Sequence, residues 1–152
     1  MRLIPSTTGT HENDMICIGG PSVNLVTREF LQNRKLYTDV ELIYPNNIIR
    51  DKLKNIDYRA AVDESGNITD DYGMLIICKN PINTSKTIIF AFGIWGQGTS
   101  IAIKSFISLS KLQLRRDISK FIKSGRIVCI VTKANIYGLE VGNFEIVDFK
   151  AH

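Results

Sequence analysis

The sequence predicts a single α/β domain over residues 1–152, a Rossmann-like three-layer sandwich with a mainly parallel sheet between helices. Three observations predict it. The 152 residues are the length of one ordinary domain. Their hydrophobic content of 44% and charged content of 22% are typical of a globular protein. Short apolar runs, none long enough to cross a bilayer, alternate with segments of helical periodicity.

The first predicted unit is a strand, a glycine turn and a helix. After a polar leader at residues 1–13, expected to be flexible, residues 15–18 form a short apolar run that ends at Gly19-Gly20-Pro21. Residues 22–35 then place apolar side chains at helical spacing. Pro21 suits the first turn of this helix, because a backbone N–H has no intrahelical partner there.

The middle of the chain predicts four strands and one short helix. Alternation predicts a strand over 38–44, and residues 45–55 are expected to hold the helix. Further strands are expected over 58–62, 74–78 and 87–92, and the last is apolar throughout, as in strands buried on both faces. We expect the region 58–92 to contribute antiparallel additions to the sheet.

The last third predicts helices followed by strands. Residues 100–123 have a helical apolar stripe with a break near 108–111, and Gly125 lies where a helix C-cap belongs. Residues 126–132 predict a buried strand. Residues 136–139 and 144–149 predict an edge hairpin at the C-terminal end.

Charge is mildly positive, at net +4, and it is concentrated in one segment. This pattern is more typical of the solvated face of a helix than of an anion-binding surface. Nucleic acid is not expected as a partner, because no aromatic side chains are interleaved with the cations. The cations of the segment are Lys111, Arg115, Arg116, Lys120, Lys123 and Arg126.

The three cysteines, Cys17, Cys78 and Cys129, each lie in an apolar run, which is typical of small buried residues. An odd number without paired spacing argues against a disulfide framework or a zinc site. The N-terminal residues contain no apolar stretch of signal-peptide length. We therefore expect a cytoplasmic protein that has no membrane partner and no metal or other cofactor.

Two glycine loops are the candidate ligand site. Each follows a strand and precedes a helix, and ligands of open α/β sheets bind at the carboxyl ends of the strands. Glycine lets the backbone approach a ligand, and the helix N-terminus favours an anion. The predicted ligand-binding residues are Gly19, Gly20, Asn24, Thr27, Trp95, Gly96, Gln97, Gly98 and Thr99.

The established phosphate signatures are not met in either loop. Gly93 and Gly98 have the glycine spacing of a P-loop, but Thr99-Ser100 stands where a lysine and a hydroxyl residue belong. Gly19-Gly20-Pro21 does not give the glycine pattern of dinucleotide-binding domains. These departures argue against a Walker-type NTPase and against hydride transfer from a nicotinamide cofactor.

Several of these residues also have a purely structural interpretation. Asn24 is as well suited to stabilising its own loop by hydrogen bonds as to binding a ligand. Thr99 is as well suited to capping the following helix as to binding a ligand. Trp95 is as well suited to burial at the sheet edge as to stacking on a ring. Asp70 and Asp71 precede a strand, where two acids are usually solvated.

The segments that carry the two loops also share a set of short motifs with known proteins. The set resembles one in prokaryotic Rossmann-like domains, and its paired glycine motifs are similar to those of archaeal S-layer and other cell-surface proteins. The resemblance covers roughly residues 14–107, implies a Rossmann-like domain and implies no particular activity. The absence of a secretion signal argues against an envelope role. The motifs are Gly19-Gly20-Pro21-x-x-Asn24-x-x-Thr27, Asp71-Tyr72-Gly73, Asn80-Pro81-x-Asn83 and Ala91-x-Gly93-x-x-Gly96-x-Gly98-Thr99.

The sequence therefore predicts a domain that binds or senses a nucleotide or related anion between the two loops. An alternative is a nucleotide N-glycosidase or transferase, with Glu29 or Asp71 as the catalytic acid. Nucleophilic catalysis through a histidine is not expected, because His11 and His152 lie in the leader and at the last position. A third possibility is an interaction domain without a ligand, acting alone, as a homo-oligomer or within a larger assembly.

Overall fold

A computed structural model describes residues 11–33, 36–45, 47–109 and 114–152 of the chain. Among these residues, strands account for 44% and helices for 24%. The strands are β1 (Met15–Ile18), β2 (Val40–Ile43), β3 (Ile48–Asp51), β4 (Ile56–Arg59), β5 (Ala61–Val62), β6 (Ile68–Lys79), β7 (Thr87–Gly93), β8 (Val128–Tyr137) and β9 (Glu140–Ala151). The helices are α1 (Leu25–Arg28), which continues into a π-helical turn (Glu29–Asn33), α2 (Gly96–Leu109) and α3 (Leu114–Lys123).

The main sheet is mixed, with strand order β1-β7-β6-β8-β9 and with β5 paired to the end of β6. Among the strands that the structure describes, β1 and β7 form the one parallel pair of this sheet, and the other pairings are antiparallel. Strands β7 and β8 therefore run in the same direction on either side of β6. The connection from β7 through α2 and α3 to β8 is a βαβ crossover with an antiparallel strand inserted between its two strands.

The prediction of a mainly parallel Rossmann-like sandwich is wrong. Neighbouring parallel strands need a long crossover connection, and β6 joins β7 through the short segment 80–86, which enforces an antiparallel hairpin. Residues 45–55, predicted to hold a helix, contain strand β3, which pairs with both β2 and β4. The region 58–92, expected to supply antiparallel additions, instead supplies β6 and β7, which are inner strands of the main sheet. The hairpin expected from 136–139 and 144–149 is also different, because residues 128–137 form one strand, β8, which pairs with β9 after a turn at 138–139.

Two other predicted helices have different bounds from those observed. The helix expected over 22–35 is one α turn followed by a π turn, and residues 34 and 35 lie outside the described part of the chain. Helix α2 begins at Gly96 rather than at Ser100, and it ends at Leu109, close to the predicted break. The leader at 1–10 and Lys111 also lie outside the described residues.

Alternate residues of the central strands pack on opposite faces of the main sheet. Met74 and Ile76 of β6 and Phe90 of β7 point into the cluster that also holds Phe30 and Ile49, beneath the π turn and the small sheet. The other face of the sheet packs against α2 and α3, through Leu75, Ala91, Ala102, Ile118, Ile122 and Ile130. The three cysteines are buried and unpaired, as predicted.

A second, antiparallel sheet of strands β2-β3-β4 covers part of the first face. Charged side chains connect it to β9. Lys150 contacts the Oδ1 atom of Asp51, which also accepts from the N–H groups of Leu53 and Lys54 at 2.9 Å. Lys54 Nζ lies 2.8 Å from Asp148 Oδ1. These ion pairs fix strand β3 to the edge of the main sheet.

Within the described ranges, no helix combines the length and the apolar character that spanning a bilayer would require.

Candidate functional site

The two glycine loops lie side by side because β1 and β7 are parallel neighbours, so their carboxyl ends meet at one edge. Gly19 N–H donates to Ala91 O at 2.9 Å, which extends the pairing of the two strands into the first loop. A side chain at Gly20 would contact Phe92 and Leu42 at 3.3–3.7 Å. The first loop is therefore packed between β7 and β2.

Residues from both loops and from the end of β2 line one cavity of about 330 Å³. Trp95 is 45% exposed and Tyr44 is 63% exposed, so two aromatic rings border this space. Polar atoms come from Ser22, Asn47 and Thr99. Of the described residues that line this cavity, none carries a charged side chain.

Two further cavities share lining residues with this one and with β2. The middle one, of about 280 Å³, shares Ser22, Leu42 and Tyr44 with the first cavity and also borders Arg28. The third, of about 380 Å³, lies between the π turn and β2, with Met74 in its floor. Leu42 borders all three. We refer to the three cavities together as the β2 groove; each has a size typical of small-molecule sites or just below it.

Asn24 and Thr27 stabilise the first loop from within. Asn24 is the N-cap of α1: its Oδ1 accepts from Val26 N at 2.9 Å and from Thr27 N at 3.0 Å, and its Nδ2 donates to Ile18 O at 2.8 Å. Thr27 is fully buried and donates its hydroxyl to Gly19 O at 2.9 Å. The first helical amides, which were expected to face an anion, therefore already bind a side chain.

The glycines of the second loop permit close contact between α2 and the sheet. A Cβ atom at Gly98 would lie 2.1 Å from Tyr72 O, and one at Gly93 would lie 2.2 Å from the Gly98 carbonyl carbon. Gly73 on β6 has the same role, since a Cβ there would lie 2.5 Å from Gly98 O. These contacts exclude any larger residue, so this spacing of glycines has a packing reason.

Asp71 occupies the place at the start of α2 where an external anion was expected. It is fully buried; its Oδ2 accepts from Gly98 N at 2.5 Å and its Oδ1 accepts from Tyr72 N at 2.8 Å. Burial raises the pKa of this carboxyl to about 6, although backbone N–H groups of Tyr72, Gly98 and Trp95 oppose the rise. The N-terminal end of α2 is thus capped from within the protein.

The nine residues predicted to bind a ligand divide into three groups. Gly20, Trp95, Gly96 and Thr99 line the first cavity. Gln97 instead borders a separate depression near the turn between β5 and β6. The remaining four, Gly19, Asn24, Thr27 and Gly98, make the internal contacts described above. Thr99 lies within α2 and is not its N-cap.

Arg28 and Tyr44 border the groove but were not among the predicted residues. Arg28 Nε donates to Pro21 O at 2.6 Å and its NH2 group donates to Ser22 O at 3.2 Å, so the guanidinium lies against the first loop. Pro21 and Ser22 precede α1, so no helical spacing in the sequence marks this contact. Tyr44 reaches the site only through the packing of β2, which no local pattern encodes.

The proposed catalytic acids do not border the two cavities beside Trp95 and Arg28. Glu29 accepts a hydrogen bond from Asn33 Nδ2 at 2.7 Å, and Asp71 is buried beneath α2. Among the described residues that line the groove, Glu41 is the one acidic residue. It lies in the third cavity, where its carboxylate is 3.6 Å from Lys52 Nζ. N-glycosidic cleavage would require a carboxylate beside the aromatic rings, and no described residue of those two cavities supplies one.

No protein-family description, curated protein or solved structure matches the chain.

Proposed function

We propose that the domain binds a small ligand in the β2 groove, and that this ligand joins a flat ring to an anionic group, as a nucleotide does. One observation carries the proposal: the exposed rings of Trp95 and Tyr44 line one cavity, and Arg28 lines the neighbouring cavity, which shares Tyr44 with the first. The function is binding or sensing, and the groove supplies contacts rather than a reacting group.

The aromatic end suits a heterocyclic base. Each base stacked on an aromatic side chain contributes about 1–3 kcal/mol, and stacking accepts many different rings. The hydroxyl of Thr99 and the side chains of Ser22 and Asn47 border the same cavity and supply polar contacts to ring substituents. Leu42 lines the same cavity and supplies an apolar surface.

The anionic end is provided by Arg28 rather than by helix amides. Asn24 and Asp71 already accept the N–H groups of the two helix starts, so these amides are not the source of affinity. The contacts of Arg28 with Pro21 and Ser22 use two of the five N–H donors that a guanidinium has. The remaining donors suit a phosphate or carboxylate oxygen, which arginine binds in a forked geometry.

Binding of AMP, adenosine and ribose 5-phosphate, measured by titration calorimetry, tests the proposal. We expect AMP to bind more tightly than either fragment, because only AMP engages both ends. Saturating ligand raises thermal stability by mass action, by about 2.7 kcal/mol at one hundred times Kd. If no nucleotide, NAD, cyclic nucleotide or sugar phosphate stabilises the protein at millimolar concentration, the proposal is wrong.

Variants separate the groove from nonspecific stacking. Trp95→Ala and Tyr44→Ala are each expected to weaken AMP binding by about 5- to 150-fold, the equivalent of 1–3 kcal/mol. Tyr137→Ala is the matched control, because Tyr137 is 65% exposed, as Tyr44 is at 63%, and does not border the groove. Equal weakening by all three variants would place the binding elsewhere.

A further inference from the structure

Helix α3 has a positively charged side that the groove does not use. Its apolar side chains Ile118 and Ile122 are buried against the main sheet, on the face opposite the small sheet. The outward side presents exposed cations along the helix and just beyond its end. They are Arg115, Arg116, Lys120, Lys123 and Arg126, and we call them the α3 basic face.

The stability of the helix explains only part of the α3 basic face. Among the described residues, no carboxylate lies within ion-pair distance of any of its five side chains. Arg115 and Arg116 lie in the first turn, where the helix dipole disfavours positive charge, and Asp117 is the acid of that turn. Lys120 and Lys123 lie in the last turn, where the dipole favours cations, so Arg115 and Arg116 are the two that helix stability does not explain.

The chemistry of this face fits phosphate groups better than lipid or apolar protein surfaces. Residues 114–126 include no exposed large hydrophobic side chain, and the Phe121 ring is held between Phe149, at 6.3 Å, and the Arg126 guanidinium, at 5.5 Å. Membrane-surface helices insert apolar side chains, and stable protein interfaces have an apolar core. Arginine binds phosphate oxygens in pairs, and three of the five cations are arginines.

We infer that the α3 basic face binds the phosphate backbone of double-stranded nucleic acid without reading the bases. The expectation against nucleic acid concerned aromatic stacking, which matters for single strands. Phe121 does lie between Lys120 and Lys123, but its ring packs against Phe149. Duplex backbone binding needs only cations spaced along a surface, and it is driven by the release of counterions. Arg116, Lys120 and Lys123 are four and three residues apart, so they lie on one stripe of the helix.

Fluorescence anisotropy with a labelled 20-base-pair duplex of arbitrary sequence, titrated between 50 and 200 mM NaCl, tests this inference. Five phosphate contacts predict a slope of log K against log salt of about −4.5, at about −0.9 for each contact. The variant Arg116→Gln/Lys120→Gln/Lys123→Gln removes three contacts, which brings the slope to about −1.8. The second variant, Arg115→Gln/Arg126→Gln, should bring it to about −2.7.

The control variant Lys79→Gln/Lys86→Gln/Lys104→Gln changes the net charge by the same amount as the triple variant but leaves α3 intact. We expect it to keep the slope of the unmodified protein. Equal loss in the control variant, or no duplex binding by the unmodified protein at 50 mM NaCl, overturns the inference. Binding to phosphatidylserine vesicles without binding to the duplex also overturns it, in favour of a membrane surface. Circular dichroism melting of each variant checks that it is folded.

Discussion

Asp71→Asn makes the most direct test of the internal cap on α2, because the native carboxyl titrates and the amide does not. The pKa of Asp71 rises from 3.8 to about 6 in the folded protein, chiefly by burial. At 1.36 kcal/mol per pKa unit, this rise corresponds to about 3 kcal/mol. The folded state binds the proton more tightly, so the contribution of Asp71 is most favourable below pH 4 and is lost as the pH rises through about 6.

Urea unfolding of the native protein and of Asp71→Asn at pH 4, 5, 6 and 7 measures this contribution. The free energy of unfolding of the native protein should fall relative to the variant by about 2.4 kcal/mol between pH 4 and pH 7, because the unfolded carboxyl is already partly ionised at pH 4. The absolute difference at one pH also contains the lost hydrogen bond to Gly98, so only its change with pH tests the reasoning. A difference that stays constant over this range would refute it.

Asp63→Asn is the matched control, since the pKa of Asp63 is shifted in the opposite direction. Asp63 accepts hydrogen bonds from the side chain and backbone of Asn67 and from Ser65 N, which lower its pKa. Its contribution to stability is present above its unfolded pKa and is lost as the pH falls. The difference between native protein and Asp63→Asn should therefore change with pH in the opposite sense.

Two other predictions follow from close packing. Gly98→Ala would place a Cβ 2.1 Å from Tyr72 O and 2.9 Å from Gly93 Cα, both of which are backbone atoms. We therefore expect this variant to lose more than about 3 kcal/mol in the free energy of unfolding by urea. Gly96→Ala is the control and should be close to neutral, because a Cβ there meets nothing within 4 Å. The thiols of Cys78 and Cys129 are buried, and burial raises their pKa values to about 12. Neither thiol should therefore react with a thiol reagent at pH 8 until urea unfolds the protein. Fast labelling in the native state would contradict their burial.

The sequence located most strands but not their directions. Apolar runs identified β1, β6 and β7, and the pattern of charges and apolar residues identified α3. A fully apolar run is typical of any strand covered on both faces, whether its neighbours are parallel or antiparallel. Direction depends on which strands pair, and the short connection between β6 and β7 was the signal that distinguished the two arrangements.

The candidate site was predictable in part for a similar reason. The strand–glycine–helix pattern places both loops at strand ends, and the parallel pairing of β1 with β7 then brings them together. Tyr44 and Leu42 enter the groove because β2 packs across the first loop, which depends on long-range packing. Asp71 meets Gly98 through the pairing of β6 with β7, so its role as a cap could not be inferred from its neighbours in the chain.

One wall of the groove belongs to a sheet that charged side chains attach to the last strand. The contacts of Lys150 with Asp51 and of Lys54 with Asp148 hold β3, and β3 in turn holds β2 beside the first loop. A molecule clamped between Tyr44 and Trp95 would therefore restrain β3 and β9 as well as its immediate surroundings. Amide hydrogen exchange in β3 and β9 should therefore slow when a ligand binds in the groove. Exchange at β9, the edge strand farthest from β1, would then serve as a measure of ligand binding.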